Sequence, residues 1–218
     1  MDIADIRDRW NREAEEFDAI YEDPSWVKAW FNRVARRAVF ERFSWTLSSI
    51  KPSSGATVLD VGCGSGVYAA ALLDRGAAAV TGVDVSESML AIARKRMADH
   101  PKGHQATLVQ GDLQSWTSPV QFDYSLAMGV FDYTSDPSEL ILKMRSLTKV
   151  RLVASFPTNS RLRVRSGLRR MRYSVQGKGA VHYFSLEEVR DLARLCGPRS
   201  VAIRSLGGGQ GFFLTVDL

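Results

Sequence analysis

An α/β domain built on a doubly wound, mostly parallel seven-stranded sheet, closed by a C-terminal antiparallel hairpin and covered by helices on both faces, is predicted by three observations. From residue 55 onward, short apolar runs of strand length alternate with amphipathic helical stretches, the pattern of a parallel sheet with both faces buried. A glycine-rich turn, Gly62-Cys63-Gly64-Ser65-Gly66, separates the first strand from the first helix of that alternation. The last two apolar runs are joined by Gly207-Gly208-Gly209 with no helix between them, so they pair as a hairpin.

Two helices precede the alternation. Ile3, Ile6, Trp10, Ala14, Phe17 and Tyr21 recur at three- and four-residue steps, an apolar stripe with an acidic outer face. Pro24 ends it, and a second helical run from Trp26 to about Leu47 turns Val27, Trp30, Phe31, Val34, Ala38 and Phe43 inward. After the turn at Pro52 to Gly55 come a strand, Thr57 to Val61, and a helix from Val67 to Leu73. The second strand, Ala79 to Val83, ends on Asp84, and Ser86 caps the next helix. Strand three is Ala106 to Val109, strand four Phe122 to Met128, and a helix runs from Ser138 to Leu147. Strand five, Val150 to Phe156, stops at Pro157. Ser185 to Glu188 is a capping box that opens a helix to Leu195, and the hairpin is Ser200 to Leu206 with Phe212 to Val216.

The chain has 218 residues, 45% hydrophobic and 24% charged, an ordinary globular mix that excludes a disordered or fibrous protein. No apolar run reaches the ~20 residues of a membrane span, and the acidic N-terminus does not resemble a secretory signal. Cys63 and Cys196 suggest neither a disulfide framework nor a metal site, so a reduced, cytoplasmic protein is expected. Without a repeat or linker, residues 1–218 are read as one domain. Its parts are an N-terminal helical lid at 1–50, a ligand-binding core at 55–156, an insertion at 157–184, and a C-terminal helix and hairpin at 185–218. The net charge of +5 is unevenly spread. Residues 1–25 hold nine acids against three arginines, whereas residues 161–178 hold six arginines and Lys178 with no acid.

The glycine loop identifies the binding end of the fold. Residues without side chains let the backbone turn tightly and approach a ligand, and the following helix offers its amide end to negative charge. Such a loop alone fits a nicotinamide or flavin enzyme equally well. The sharper signal is a pair of acids after the next two strands. Asp84, 18 residues past Gly66, stands where a carboxylate accepts from both ribose hydroxyls, and Asp112 stands where one accepts from an adenine amine.

Together, the glycine loop, Asp84 followed by Ser86 and Met89, and Gly111-Asp112-Leu113 resemble the class I S-adenosylmethionine-dependent methyltransferases, a Rossmann-like family, over about Thr57 to Phe156. The resemblance implies S-adenosylmethionine as cofactor, with Gly62, Cys63, Gly64 and Gly66 forming its loop. It further implies Asp84 on the ribose, Met89 on the adenine, Asp112 facing the adenine amine and Met128 beside the methionine moiety, with Val85 and Leu113 also on the cofactor. Outside the core, Phe17 to Asp23, Arg37, Val130 to Tyr133 and Arg151 to Phe156 look like segments of magnesium-protoporphyrin methyltransferases. That likeness implies Tyr21 and Arg37 on the cofactor side and Asp132 facing the acceptor, where the group carries a His.

The expected activity is methylation of a small molecule, with O-methylation of an anionic intermediate or secondary metabolite preferred. Asp132 and His182 are the candidate general bases if the acceptor is an alcohol or phenol. Asp132 serves equally as a cap for the turn before Pro137, and His182 as a hydrogen-bonded edge residue. Cys63 reads as a loop filler, having no local His partner. The arginines of 161–178 interleave with Leu162, Val164, Leu168, Met171 and Tyr173, which fits a solvated face, a cap that recognises an anionic substrate, or an RNA-binding surface. An RNA methyltransferase and a non-catalytic cofactor-binding subunit are therefore the alternatives. DNA is not an expected partner, and the chain is expected to be a monomer or homodimer.

Overall fold

The computed structural model describes residues 3–22, 37–52, 55–134, 136–158 and 182–218. Its strands are β1 (Thr57–Val61), β2 (Ala79–Asp84), β3 (Ala106–Gln110), β4 (Phe122–Ala127), β5 (Thr148–Pro157), β6 (Ser200–Leu206) and β7 (Gly211–Asp217). The helices are α1 (Ile3–Glu22), α2 (Arg37–Ser49), α3 (Val67–Asp74), α4 (Glu87–Ala98), α5 (Pro137–Ser146) and α6 (Leu186–Leu195). The strands form one sheet in the order β3-β2-β1-β4-β5-β7-β6. The first five are parallel, and β7 runs antiparallel to both β5 and β6.

Strand alternation divides β1 between two cores. Leu59 and Val61 pack with Phe131, Ile141, Met144, Phe156 and Val189, so α5 and α6 cover that face. Val58 points the other way, into a core with Leu47, Tyr68, Leu72, Leu126 and Phe213, covered by α2 and α3. This is the predicted doubly wound sheet. Because β1 lies between β2 and β4, the chain reverses its direction of travel across the sheet there, and the crevice at the carboxyl ends of these strands is the switch point where such folds bind ligands.

Local chemistry sets the helix ends. Ser86 accepts from the Met89 N–H at the start of α4, and Ser185 with Glu188 completes the expected capping box of α6. The second helix begins at Arg37, and the expected Trp26 to Arg36 portion lies outside the described residues. The turn before Pro137 is capped by Asp136, which accepts from the Glu139 N–H, so Asp132 is not needed for that role. The triple-glycine hairpin is also as expected: Leu206 O accepts from Gly209 and Gln210, while the Gly207 N–H donates to Glu41 of α2. Among the described residues no helix is long and apolar enough to cross a membrane.

Behind the loop after β4, Phe131 is fully buried, with ring centroids 4.4 Å from Phe156 and 6.4 Å from Phe184. Phe131→Ala should lower the unfolding free energy in urea by about 3–5 kcal/mol, the usual cost of deleting a buried phenyl ring. A loss under about 1 kcal/mol would show that this cluster does not anchor the loop.

Candidate functional site

A cavity of about 300 Å³ opens at the carboxyl ends of β1, β2, β3 and β4. Each strand delivers to it the residues that immediately follow: Gly62 and Gly64 after β1, Asp84 and Val85 at β2, Gly111 to Gln114 after β3, and Met128 to Val130 after β4. Helix α4 contributes Met89, α2 contributes Arg42, and α1 closes one side with Ile3, Ile6 and Trp10. The cavity therefore lies at the switch point.

The glycine loop is held against β2 through hydrogen bonds from Gly62 N–H (2.7 Å) and Cys63 N–H (3.2 Å) to Val83 O. Gly62 has φ +64°, and a Cβ there would fall 2.5 Å from Val130 Cγ2, so both backbone and space require glycine. Gly66 opens α3 at φ +76° and leaves only 3.1 Å between a would-be Cβ and Ala93 of α4. Cys63 and Gly66 are absent from the cavity wall. The Cys63 side chain instead fills the space over Gly82, where a Cβ would lie 2.8 Å from its sulfur. Burial, reinforced by Asp60 and Asp84, raises its thiol well above the usual range, which keeps it neutral and unreactive.

Asp84 joins this loop to the next helix. Its Oδ2 accepts from Gly64 N–H at 2.8 Å and its Oδ1 from Ser86 N–H at 2.8 Å. A carboxylate has about four lone-pair sites, so it can still accept from a ligand facing it in the cavity. Burial raises Asp84 above the ordinary carboxylate range, although the N–H groups of Ser86, Gly64 and Val85 favour its charged form. One strand over, Asp112 Oδ1 accepts from Gln114 N–H at 3.2 Å, and Leu113 is buried beside it. Val85, Met89 and Leu113 give this end of the cavity an apolar wall.

The opposite end holds Met128, Gly129, Val130, Asp132, Tyr133 and Arg42. The Thr46 hydroxyl of α2 donates to Arg42 O at 2.7 Å and lies 3.4 Å from the Met128 sulfur. The ring of Tyr133 meets Trp10 edge to face at 5.8 Å. Of the two candidate bases, Asp132 lines the cavity and His182 does not. They are nonetheless adjacent in the backbone, because His182 N–H donates to Asp132 O at 2.9 Å. The His182 ring lies 4.5 Å from that of Phe184. Arg37 also falls outside the cavity, exposed and bonded to Glu41 at 2.6 Å. Tyr21 falls on the last turn of α1, where its side chain lies outside the described residues, as does all of 161–178.

Sequence reasoning missed Arg42 and Asp60. Arg42 lies one turn beyond the inward-facing Ala38, and its guanidinium approaches Gly129, where a Cβ would be 3.0 Å from Nη1. Asp60 is an acid inside the apolar run Val58 to Val61, fully buried, with Oδ2 lacking a hydrogen-bond partner. Burial, and secondarily Asp84, pushes its carboxyl well above the usual range. The charged side chains lining the cavity among the described residues are Asp84, Asp112, Asp132 and Arg42. Three carboxylates and one guanidinium suit a ligand with more positive than negative charge.

Residues 58–150 match the family described as "Methyltransferase domain". A ubiquinone biosynthesis O-methyltransferase of Thiobacillus denitrificans is 32% identical over 108 residues, 50% of this chain and 46% of the relative. The chain thus spans about half the length of the curated relatives it matches. A crystal structure of magnesium protoporphyrin IX methyltransferase from Synechocystis PCC 6803, with bound SAH, superposes with a TM-score of 0.76 at 21% identity, covering 99% of both chains. The cyclase SpnF superposes with a TM-score of 0.71 at 16% identity over 97% of this chain and 94% of its own. These superpositions establish the fold; two such differently named proteins share it, so activity has to be argued from the site.

Buried Asp60 gives the stability of the folded chain a pH signature. The unfolded chain ionises Asp60 near pH 4, while the folded chain keeps it protonated to higher pH. Below the unfolded value both states carry the proton and Asp60 costs nothing. As pH rises through the interval up to the folded value, the unfolded state loses a proton that the folded state retains, and stability falls. Asp60→Asn should therefore melt at a higher temperature than the unsubstituted protein, by a margin that grows as pH rises above about 4. A margin independent of pH would contradict the assignment of a buried, neutral Asp60.

Proposed function

We propose that this chain, whose residues 58–150 match the methyltransferase-domain family, is a class I S-adenosylmethionine-dependent methyltransferase that binds S-adenosylmethionine in the switch-point cavity and methylates an oxygen of a small anionic acceptor. The observation that carries the reading is Asp84, locked between Gly64 and Ser86 with lone pairs facing the cavity, while Asp112 faces the same space one strand away. This spacing suits the ribose hydroxyls and the adenine amine of one nucleoside, with Val85, Met89 and Leu113 against the base. The remaining charges fit the rest of the molecule. An ammonium and a sulfonium match the carboxylate excess, and the single carboxylate matches Arg42, which takes the cofactor-side place expected of Arg37. When bound, the cofactor supplies an already electrophilic methyl group.

What the chain adds is position and exclusion of water. Met128 and Gly129 border the cavity where β4 ends, and Val130, Tyr133, Trp10 and Ile6 offer apolar walls to the acceptor's body. Asp132 is the group placed to accept the acceptor's proton, with the backbone of His182 fixing its loop at 2.9 Å. The preference for an anion rests on the arginines of 161–178. The resemblance to the porphyrin group keeps Tyr21 as the proposed cofactor-side residue of α1.

Calorimetric titration with S-adenosylhomocysteine tests the cofactor assignment. Asp84→Ala should weaken binding by on the order of 1.5–3 kcal/mol, the worth of hydrogen bonds to a charged group. Unchanged affinity would remove Asp84 from the site. Asp132→Asn should cut turnover on an alcohol or phenol acceptor by about 10²–10⁴-fold while leaving cofactor affinity alone. Full activity in that variant would eliminate Asp132 as the base.

A further inference from the structure

Helix α1 lies along α4 and supplies Ile3, Ile6 and Trp10 to the cavity wall, yet its polar attachments lead to the groups that would hold the cofactor. In the first attachment, Asn11 Oδ1 accepts from the Ser86 hydroxyl at 2.7 Å and from Ser88 N–H at 3.2 Å. Ser86 N–H in turn donates to Asp84 Oδ1, and the other Asp84 oxygen accepts from Gly64 N–H. In the second, the Asp18 carboxylate accepts from Arg96 Nη2 at 2.9 Å, and Arg96 Nη1 donates to the carbonyl of Ser65 in the glycine loop. Asp18 and Arg96 keep only 11% and 19% of their side-chain surface exposed, so this pair is shielded from the screening that makes surface pairs nearly worthless.

We propose that docking of α1 is thermodynamically coupled to cofactor binding, with Asn11 and Asp18 as the positioning residues that carry the coupling. The inference rests on the cofactor site assigned above and deepens it. A ligand that accepts its hydrogen bonds from Asp84 and packs on the glycine loop fixes the far ends of both bridges. It also fills the cavity that Ile3, Ile6 and Trp10 face, so that these side chains pack against it. By reciprocity, whatever the ligand adds to α1 docking, docked α1 adds to ligand affinity. Arg9 and Trp10 extend the same helix to the acceptor end, the Arg9 guanidinium lying 4.9 Å from the Tyr133 ring centroid. Cofactor occupancy is thereby communicated to the loop that carries Asp132.

The test combines amide hydrogen exchange of residues 3–14 with calorimetric titration of S-adenosylhomocysteine, on the full chain and on Asn11→Ala, Asn11→Asp and Asp18→Asn. S-adenosylhomocysteine should slow exchange in α1 of the unsubstituted protein. Asn11→Ala and Asp18→Asn should each bind it about tenfold more weakly, within the usual range of site-to-site coupling, and lose the α1 protection. Asn11→Asp keeps an acceptor at the start of α4 and should restore affinity to within about threefold, which loss of helix packing alone does not explain. Tight binding with α1 exchange unchanged, or Asn11→Ala binding as the parent does, would overturn the coupling while leaving the cofactor site intact. No binding to the unsubstituted protein would overturn the cofactor assignment and the coupling with it.

Discussion

The arrangement depends on one carboxylate. Asp84 stands at the end of β2, where its two oxygens take the N–H groups of Gly64 and Ser86 at 2.8 Å each. It thereby sets the distance between the glycine loop after β1 and the start of α4, the two walls between which a nucleoside has to fit. The loop reaches it because Gly62 and Cys63 donate to Val83 O, and because Gly62 lacks the Cβ that would strike Val130. Pocket shape and pocket charge thus follow from the same few backbone hydrogen bonds.

Electrostatics and burial oppose each other around the glycine loop. Asp60, Cys63 and Asp84 share the space beneath and beside the glycine loop, and all three titrate above their usual ranges, chiefly through burial. Such a cluster favours a cationic ligand, because an opposite charge favours the ionised carboxylate. A sulfonium-bearing ligand meets that requirement and its neutral thioether product meets less of it.

The central architecture was legible in the sequence because it is written in local chemistry. Strand and helix alternate in period, glycines punctuate the loop, Ser86 and Ser185 are capping residues, and acids end two successive strands. Asp84, Val85, Met89, Asp112, Leu113, Met128 and Asp132 all reach the cavity. Arg42 and Asp60 were hidden for opposite reasons. An arginine on an amphipathic helix reads as solvated until the tertiary fold turns it towards Gly129, and an acid within an apolar strand carries no partner in sequence. The resemblance pointed to Arg37, but the helix turns it to solvent beside Glu41. Cys63 and Gly66 shape the loop from behind, a distinction that spacing alone does not make. The Asn11 and Asp18 bridges span 75 and 78 residues, so only the folded chain brings their partners together.

The most direct measurement of the central claim is a crystal structure of the chain with S-adenosylhomocysteine bound. The ribose hydroxyls should lie about 2.6–3.2 Å from the Asp84 carboxylate, with the adenine between Met89 and Leu113 and its amine turned to Asp112. A ligand bound elsewhere, or a ribose more than about 4 Å from Asp84 with the Gly64 and Ser86 bonds intact, would contradict the claim that this carboxylate organises the site.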